Sequence, residues 1–179
     1  MTATVDLKAL IRTVPGFPRP GVQFRDITTL LNAADGLRAV VERLAAAYRD
    51  DRVDKVAAIE SRGFMIGAPV AYALHAGLVP IRKKGKLPAE SFGEDYALEY
   101  GTDRLEMHRD AIAPGERVLV VDDLIATGGT AAAALRLVAL AGGSVVGCAF
   151  VVDLPDLGGR ARIERLGHPV LALCAFTGD

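Results

Sequence analysis

Short apolar runs alternate with longer segments of helical character along most of the chain, and this alternation predicts the fold. Five runs have the length and composition of buried strands: residues 56–59, 78–81, 118–121, 145–152 and 170–175. Apolar spacing or helix propensity predicts helices over residues 7–11, 33–48, 64–75, 131–140 and 156–166, the last being a short exposed helix or a turn. Strands that alternate with helices predict one α/β domain with a mostly parallel, twisted sheet flanked by helices.

Two segments depart from this alternation. Residues 17–28 contain Pro18 and Pro20, which lack a donor and fix φ, so the stretch can continue neither a helix nor a central strand. Taken alone, it predicts a rigid N-terminal arm. Residues 90–109 alternate polar and apolar side chains on both sides of Gly101, which predicts a hairpin or a mobile flap that stands out from the core.

Composition and charge narrow the function classes. The 179 residues suit one domain with a sizeable core, since 51% of them are hydrophobic. A formal net charge of −1 gives no electrostatic reason to expect nucleic acid or an anionic membrane as a partner. We expect no signal peptide and no membrane span, because the N-terminus is charged and no apolar run is long enough. The histidines lack metal-ligand spacing, and two unpaired cysteines favour a reduced, cytoplasmic protein.

The most informative stretch is VLVVDDLIATGGT, residues 118–130. Two carboxylates, Asp122 and Asp123, follow the predicted strand at once. The next helix is preceded by a loop of small and polar residues, here named the glycine loop: Ala126, Thr127, Gly128, Gly129 and Thr130. A helix start binds anions through its unpaired N–H groups, and glycines let the backbone come close to a phosphate. Because carboxylates accept hydrogen bonds, the stretch predicts a ligand with both a phosphate and vicinal hydroxyls, such as a ribose 5-phosphate.

Other glycine-rich motifs fit this stretch poorly. A P-loop requires Gly-Lys-Ser/Thr, and the glycine loop contains no lysine. The dinucleotide fingerprint G-x-G-x-x-G is also absent. An ordinary strand–turn–helix with solvated aspartates is the remaining alternative, and it leaves the convergence of acids, hydroxyls and glycines at one strand end without a reason.

This stretch resembles the phosphoribosyl-pyrophosphate binding motif of the type I phosphoribosyltransferases. The resemblance implies that the glycine loop holds the 5-phosphate of the donor, 5-phosphoribosyl 1-diphosphate, while Asp122 and Asp123 hold its ribose hydroxyls. It also implies the type I phosphoribosyltransferase fold over residues 1–179 as a single domain, with an N-terminal hood at about 1–33 and a β-hairpin flap at about 88–110. The motif leaves the acceptor open.

A second polar group follows the predicted strand at 56–59. Arg62 offers a planar fork of donors that suits phosphate oxygens, although taken alone it is equally a surface arginine on a turn. Type I phosphoribosyltransferases have a loop here that contacts pyrophosphate, often with a cis peptide bond that involves no proline. The resemblance therefore implies pyrophosphate contacts for Ser61 and Arg62, a catalytic role for Arg62, and a cis bond between Glu60 and Ser61.

Residues 82–86 form a cationic cluster in a net acidic chain. Cations stabilise pyrophosphate as it leaves, whereas most charge runs are simply solvated. The sequence IRKKGKLP, residues 81–88, resembles the corresponding loop of the adenine-using members of the family. The resemblance implies that Lys83 and Lys86 approach the pyrophosphate, with one of them a candidate to reach across a dimer interface.

Two further segments resemble the adenine-using members. Residues 96–101, YALEYG, resemble their flap, whose glutamate handles the proton of the purine; this implies a catalytic Glu99, with Tyr100 beside the bound donor or nucleotide. Taken alone, a carboxylate and a phenol there suit either proton transfer or a strand that faces water. Residues 17–28 resemble their hood. The resemblance implies that the base is bound by four residues: Gln23 through its backbone, Phe24, Arg25 and Leu124.

Taken together, these resemblances imply purine salvage, in which adenine and 5-phosphoribosyl 1-diphosphate give AMP and diphosphate. They also imply a homodimer and Mg²⁺ that is held mainly by the substrate, with no direct protein ligand. Two alternatives stay open. One is a phosphoribosyltransferase for hypoxanthine, guanine, xanthine or orotate, and the other is a non-catalytic regulator that senses the donor or a purine.

Overall fold

The computed structural model describes residues 4–97 and 102–178. In chain order, the elements are β1 (Arg12–Pro15), β2 (Gln23–Asp26), α1 (Thr28–Asn32), α2 (Ala34–Tyr48), β3 (Lys55–Ile59), α3 (Arg62–Ala73), β4 (Gly77–Lys83), β5 (Ser91–Ala97), β6 (Thr102–His108), β7 (Arg117–Ile125), α4 (Gly129–Leu140), β8 (Ser144–Asp153), α5 (Gly159–Arg165) and β9 (Val170–Ala175). Within the two described ranges, no helix is long and apolar enough to cross a membrane.

Seven strands form one sheet in the order β5-β6-β4-β3-β7-β8-β9. Five neighbouring strands run parallel, namely β4, β3, β7, β8 and β9. The hairpin of β5 and β6 joins the edge of β4 in antiparallel orientation. This confirms the predicted α/β domain with a mostly parallel sheet. Because β3 and β7 pair directly, with Ala58 opposite Val121, the segments that follow these two strands start side by side.

Helices cover both faces of the sheet. Along β7, Val118 and Val120 pack in the cluster that contains the buried residues of α4, and Leu119 and Val121 pack in the cluster that contains those of α2 and α3. All four valine and leucine side chains are fully buried, as expected when successive residues of a strand point to opposite faces. The core therefore holds β7 rigidly just before its two carboxylates.

The N-terminal segment differs from the prediction. The predicted helix over 7–11 is a single 3₁₀ turn at Lys8–Leu10. The predicted arm contains β2, which pairs with β1 just before the arm to form a second, two-stranded sheet. Cross-strand contacts explain the hairpin, because Arg12 pairs with Asp26 and Arg25 Nη1 donates to Thr13 Oγ1 at 2.7 Å.

Two strands are longer than their apolar runs predict. β7 continues through the acid pair to Ile125, because β8 supplies a parallel partner as far as Asp153. Asp122 and Asp123 thus lie within a strand and not after it. β4 likewise extends to Lys83, where Arg82 and Lys83 pair with β6, so these two cations belong to a strand rather than to a loop.

The predicted hairpin at 90–109 is present as β5 and β6. Its strands pair from Ser91–His108 to Ala97–Thr102. Leu105 and Met107 are fully buried because the base of the hairpin extends the main sheet. The expectation that the whole segment stands out from the core is therefore wrong for its base, and the residues around Gly101 lie outside the described ranges.

Candidate active site

A cavity of about 530 Å³ opens at the carboxyl ends of β3, β4 and β7. Open parallel sheets bind ligands at this edge. The cavity brings together most of the predicted site residues: Ser61, Arg62, Lys83, Lys86, Asp122, Asp123, Leu124, Ala126, Thr127, Gly128, Gly129 and Thr130. Glu99 and Tyr100 lie outside the described residues, and their assigned roles stay predictions.

The glycine loop forms one wall of the cavity and leads into α4. Gly128 caps the helix with a φ of +74°, a conformation that favours glycine, and its carbonyl accepts a hydrogen bond from Ala132 N–H at 2.9 Å. The first N–H groups of a helix have no partners within the helix. Together with the hydroxyls of Thr127 and Thr130, these groups can bind a phosphate.

The acid pair lies beside this loop and is tied to Arg62. Asp123 is 5% exposed, and one of its oxygens accepts a hydrogen bond from Arg62 Nε at 2.5 Å. Burial, followed by the charge of Asp123, raises the pKa of Asp122 well above its usual range. Burial lowers the pKa of Arg62, but the adjacent Asp123 outweighs burial and the net pKa is raised. Asp122 is therefore the more readily protonated of the two compared with an ordinary aspartate, while Asp123 is the one that pairs with Arg62.

Close packing brings the start of α3 to the acid pair. A Cβ atom on Gly63 would lie 2.8 Å from Asp122 Oδ1, so only glycine permits this approach. The helix begins at Arg62, which places this arginine in the first turn rather than in a loop. The peptide bond between Glu60 and Ser61 is cis, as the resemblance implied.

Glu60, which was not among the predicted site residues, joins the end of β3 to the cationic cluster at residues 82–86. Its carboxylate accepts hydrogen bonds from Lys86 Nζ at 2.7 Å, from the Lys83 backbone N–H at 2.9 Å and from Arg82 Nε at 3.3 Å. Burial alone would raise the pKa of Glu60, but these donors lower it. The sequence does contain an indication that Glu60 belongs to the site, because it is a charged residue that directly follows a predicted strand.

Asp103 and Tyr96 were also missed. Lys83 Nζ lies 3.2 Å from Asp103 Oδ2, which also accepts a hydrogen bond from the Tyr96 hydroxyl at 3.2 Å. Burial, and then the charge of Asp103, raises the pKa of Tyr96. Both residues belong to the β5–β6 hairpin, so their proximity to Lys83 depends on strand register and not on any local motif.

The hood reaches the rim of the cavity through Phe24. The guanidinium carbon of Arg62 lies 5.7 Å from the centre of the Phe24 ring, and Phe17 packs edge-on against that ring at 5.1 Å. Gln23, Phe24 and Arg25 are not among the residues that line the cavity. Arg25 extends instead over the ring of Phe176, 4.6 Å from its centre.

The site offers few protein ligands for a metal. Within residues 4–97 and 102–178, no group of three or more His, Cys, Asp or Glu side chains could hold a metal ion. Asp122 and Asp123 are adjacent, but Asp123 is engaged by Arg62. Because Mg²⁺ keeps several waters and binds well to substrate phosphates, this donor set fits a magnesium ion that is held mostly by the substrate.

Comparisons with known proteins agree with this geometry. The sequence profile described as "Phosphoribosyl transferase domain" matches residues 28–164. A protein named adenine phosphoribosyltransferase from Nitrosospira multiformis is 61% identical over 175 residues, which cover 98% of this chain and 100% of the relative. The solved adenine phosphoribosyltransferase of Rhodothermus marinus is 54% identical with a TM-score of 0.90, over 95% of this chain and 96% of that one.

A third comparison involves bound ligands. The adenine phosphoribosyltransferase of Saccharomyces cerevisiae, solved with an imino-altritol bisphosphate and adenine, is 38% identical with a TM-score of 0.87. The match covers 93% of this chain and 96% of the yeast chain. The similarity in sequence and structure thus extends over nearly the whole chain.

Proposed function

The chain belongs to the adenine phosphoribosyltransferases, within the phosphoribosyltransferase family. We propose that it catalyses the transfer reaction by which adenine is salvaged. The reaction transfers the 5-phosphoribosyl group from 5-phosphoribosyl 1-diphosphate to adenine and gives AMP and diphosphate. The observation that carries the proposal is the convergence of a glycine loop, a carboxylate pair and three cations at one cavity.

The glycine loop and the acid pair hold the ribose 5-phosphate part of the donor. The 5-phosphate binds the N–H groups at the start of α4 and the hydroxyls of Thr127 and Thr130. Asp122 and Asp123 accept hydrogen bonds from the ribose hydroxyls. The sheet positions both groups within one wall of the cavity, so the anomeric carbon is fixed relative to the acceptor.

The cationic side chains that line the cavity stabilise the leaving diphosphate. Arg62, Lys83 and Lys86 supply positive charge, and Ser61 supplies a donor. Negative charge grows on the diphosphate as the glycosidic bond breaks, so cations placed at that position lower the barrier. Mg²⁺, bound mainly through substrate oxygens, supplies further neutralisation of the diphosphate when present.

Adenine binds between the hood and the main sheet. Phe24 and Leu124 are proposed to contact the two faces of the base, with the backbone of Gln23 at its edge. Arg25 supports this arrangement through its contacts with Thr13 and Phe176, which hold β2 in place. Glu99 is proposed to handle the proton of the base, and Tyr100 to cover the bound substrate; both assignments rest on the resemblance of the flap.

The exposed side of α3 supports a homodimer. Residues 63–81 contain no Asp, Glu, Lys or Arg, and Met65 and Tyr72 are 48% and 86% exposed. Leu78, in β4, is a further large apolar side chain of this segment that is exposed. We expect light scattering after gel filtration to show a dimer. Tyr72→Arg should shift the protein toward monomer. Leu166→Arg, which changes another exposed apolar side chain far along the sequence, should leave the dimer intact. A monomeric wild-type chain at micromolar concentration would contradict this part of the proposal.

The cellular location is proposed on the chemistry of the cysteines. Cys148 and Cys174 are both free, and burial raises the pKa of each thiol. Unpaired cysteines are typical of reducing compartments, so we propose that the enzyme works in the cytoplasm.

A turnover assay tests the proposed reaction. The protein is given 5-phosphoribosyl 1-diphosphate, Mg²⁺ and, in separate reactions, adenine, hypoxanthine, guanine, xanthine or orotate, and diphosphate release is followed. We expect turnover with adenine and formation of AMP. Turnover with a different base only would reassign the acceptor, and tight donor binding without turnover would support a regulator.

A further inference from the structure

The short helix α5 packs against the glycine loop on a side that does not line the cavity. The N–H of Gly159 donates to the carbonyl oxygen of Ala126 at 2.9 Å, and Arg162 Nη1 lies within 3.4 Å of the carbonyl oxygen of Thr127. Neither Gly159 nor Arg162 is among the lining residues of the cavity. The loop therefore faces the cavity on one side and α5 on another.

The contact between the two backbones leaves no room for a side chain. A Cβ atom on Gly159 would lie 2.2 Å from the Ala126 carbonyl oxygen and 2.7 Å from the Gly128 backbone nitrogen. A Cβ atom on Gly128 would in turn lie 2.9 Å from the Gly159 carbonyl oxygen, and also near Arg162 Cδ at 3.4 Å. The closest neighbours of each added Cβ atom are backbone atoms, so relieving either clash requires the loop or α5 to shift.

We propose that Gly159 and Arg162 are positioning residues for the 5-phosphate of the donor. They hold the carbonyl groups of Ala126 and Thr127 on the α5 side of the loop. Carbonyl oxygens repel a phosphate, whereas N–H groups attract it, so this arrangement fixes which backbone groups the loop presents to the anion. The inference rests on the proposed function, in which the glycine loop binds the 5-phosphate.

Two substitutions test the role, each with a matched control. Gly159→Ala forces the loop to move. Gly36→Ala introduces a similar clash, 2.6 Å from the Leu30 carbonyl oxygen, on α2 and away from the cavity. Arg162→Met removes the contact with Thr127, and Arg165→Met removes one charge from the last turn of the same helix. Circular dichroism and thermal unfolding report whether each variant folds.

The readout is the inhibition constant of two fragments of the donor, each measured against 5-phosphoribosyl 1-diphosphate. Ribose 5-phosphate engages the glycine loop, and diphosphate engages the cations. We expect Gly159→Ala to weaken ribose 5-phosphate about tenfold or more, and Arg162→Met about twofold to fivefold. Both should leave diphosphate inhibition within about twofold of wild type. The control variants should match wild type for both fragments.

Equal weakening of the two fragments would show a general structural effect and overturn the proposal. Wild-type inhibition constants for both fragments on both variants would also overturn the proposal. If Gly159→Ala did not fold, Arg162→Met alone would decide. If the wild-type protein bound ribose 5-phosphate but transferred the phosphoribosyl group of 5-phosphoribosyl 1-diphosphate to no base, the proposed function would be refuted. Calorimetric dissociation constants of ribose 5-phosphate and diphosphate would then replace the inhibition constants, and selective weakening of ribose 5-phosphate in the variants would still support the positioning role.

Discussion

Asp123→Asn separates the catalytic function of the acid pair from its effect on stability. Asp123 is buried next to Asp122 and accepts a hydrogen bond from Arg62 Nε. The substitution keeps the size of the side chain and one acceptor oxygen, but it removes the negative charge. Arg62 then loses a charged acceptor, and so do the ribose hydroxyls in the proposed complex.

The expected loss of activity follows from the strength of one charged hydrogen bond. Such a bond contributes about 1.5–3 kcal/mol, so kcat/KM for 5-phosphoribosyl 1-diphosphate should fall about 10- to 150-fold. Stability should change far less. The Arg62 side chain is 41% exposed, so solvent screens the lost ion pair, and the repulsion between Asp122 and Asp123 is removed at the same time. We expect the free energy of unfolding to change by less than about 1 kcal/mol.

The assay combines steady-state kinetics with urea unfolding, and Asp153→Asn is the matched control. Asp153 is a buried aspartate at the end of the adjacent strand β8, and it does not line the cavity. The control should keep kcat/KM within about twofold of wild type. If Asp123→Asn kept full activity, or if its loss of activity were matched by a loss of several kcal/mol in stability, the assigned role of Asp123 would be wrong.

Three further predictions follow. At pH 7, Asp122→Asn should be more stable than wild type in urea unfolding, and this gain should shrink toward pH 4. The reason is that the pKa of Asp122 is raised in the folded state, so the contribution of Asp122 to the free energy of unfolding falls as pH rises above the ordinary value of 3.8. An equal gain at both pH values would contradict this. Glu99→Gln should lower kcat about 100-fold and change donor binding little in steady-state assays; unchanged turnover would exclude proton handling by Glu99. Arg25→Ala should raise KM for adenine about threefold to tenfold, and equal harm to donor binding would count against the hood assignment.

Local sequence determined which parts of the site were predictable. The glycine loop lies between a buried strand and a helix within thirteen consecutive residues, so its position and chemistry follow from residues 118–130 alone. The parallel sheet was predictable for the same reason, since each strand carries its own apolar run. The cis bond after Glu60 came from resemblance, not from local physics.

Non-local pairing accounts for the rest. The end of β7 depends on how far β8 continues beside it, and no pattern around Asp122 encodes that length. The contacts of Lys83 with Asp103, and of Asp103 with Tyr96, join β4 to a hairpin whose register is set along the sheet edge. The hood hairpin likewise depends on cross-strand pairs such as Arg12 with Asp26, fourteen positions away.

The ion pairs of the cations proposed to bind diphosphate have a consequence for anion selectivity. Arg62, Lys86 and Lys83 each contact a carboxylate, respectively Asp123, Glu60 and Asp103. A monovalent anion such as chloride gains one cation at most and must separate it from its carboxylate, so the exchange yields little free energy. A diphosphate engages several cations at once and brings Mg²⁺ with it, which offsets the separated pairs. If these cations bind the diphosphate as proposed, we expect their pairing with carboxylates to disfavour binding of abundant simple anions.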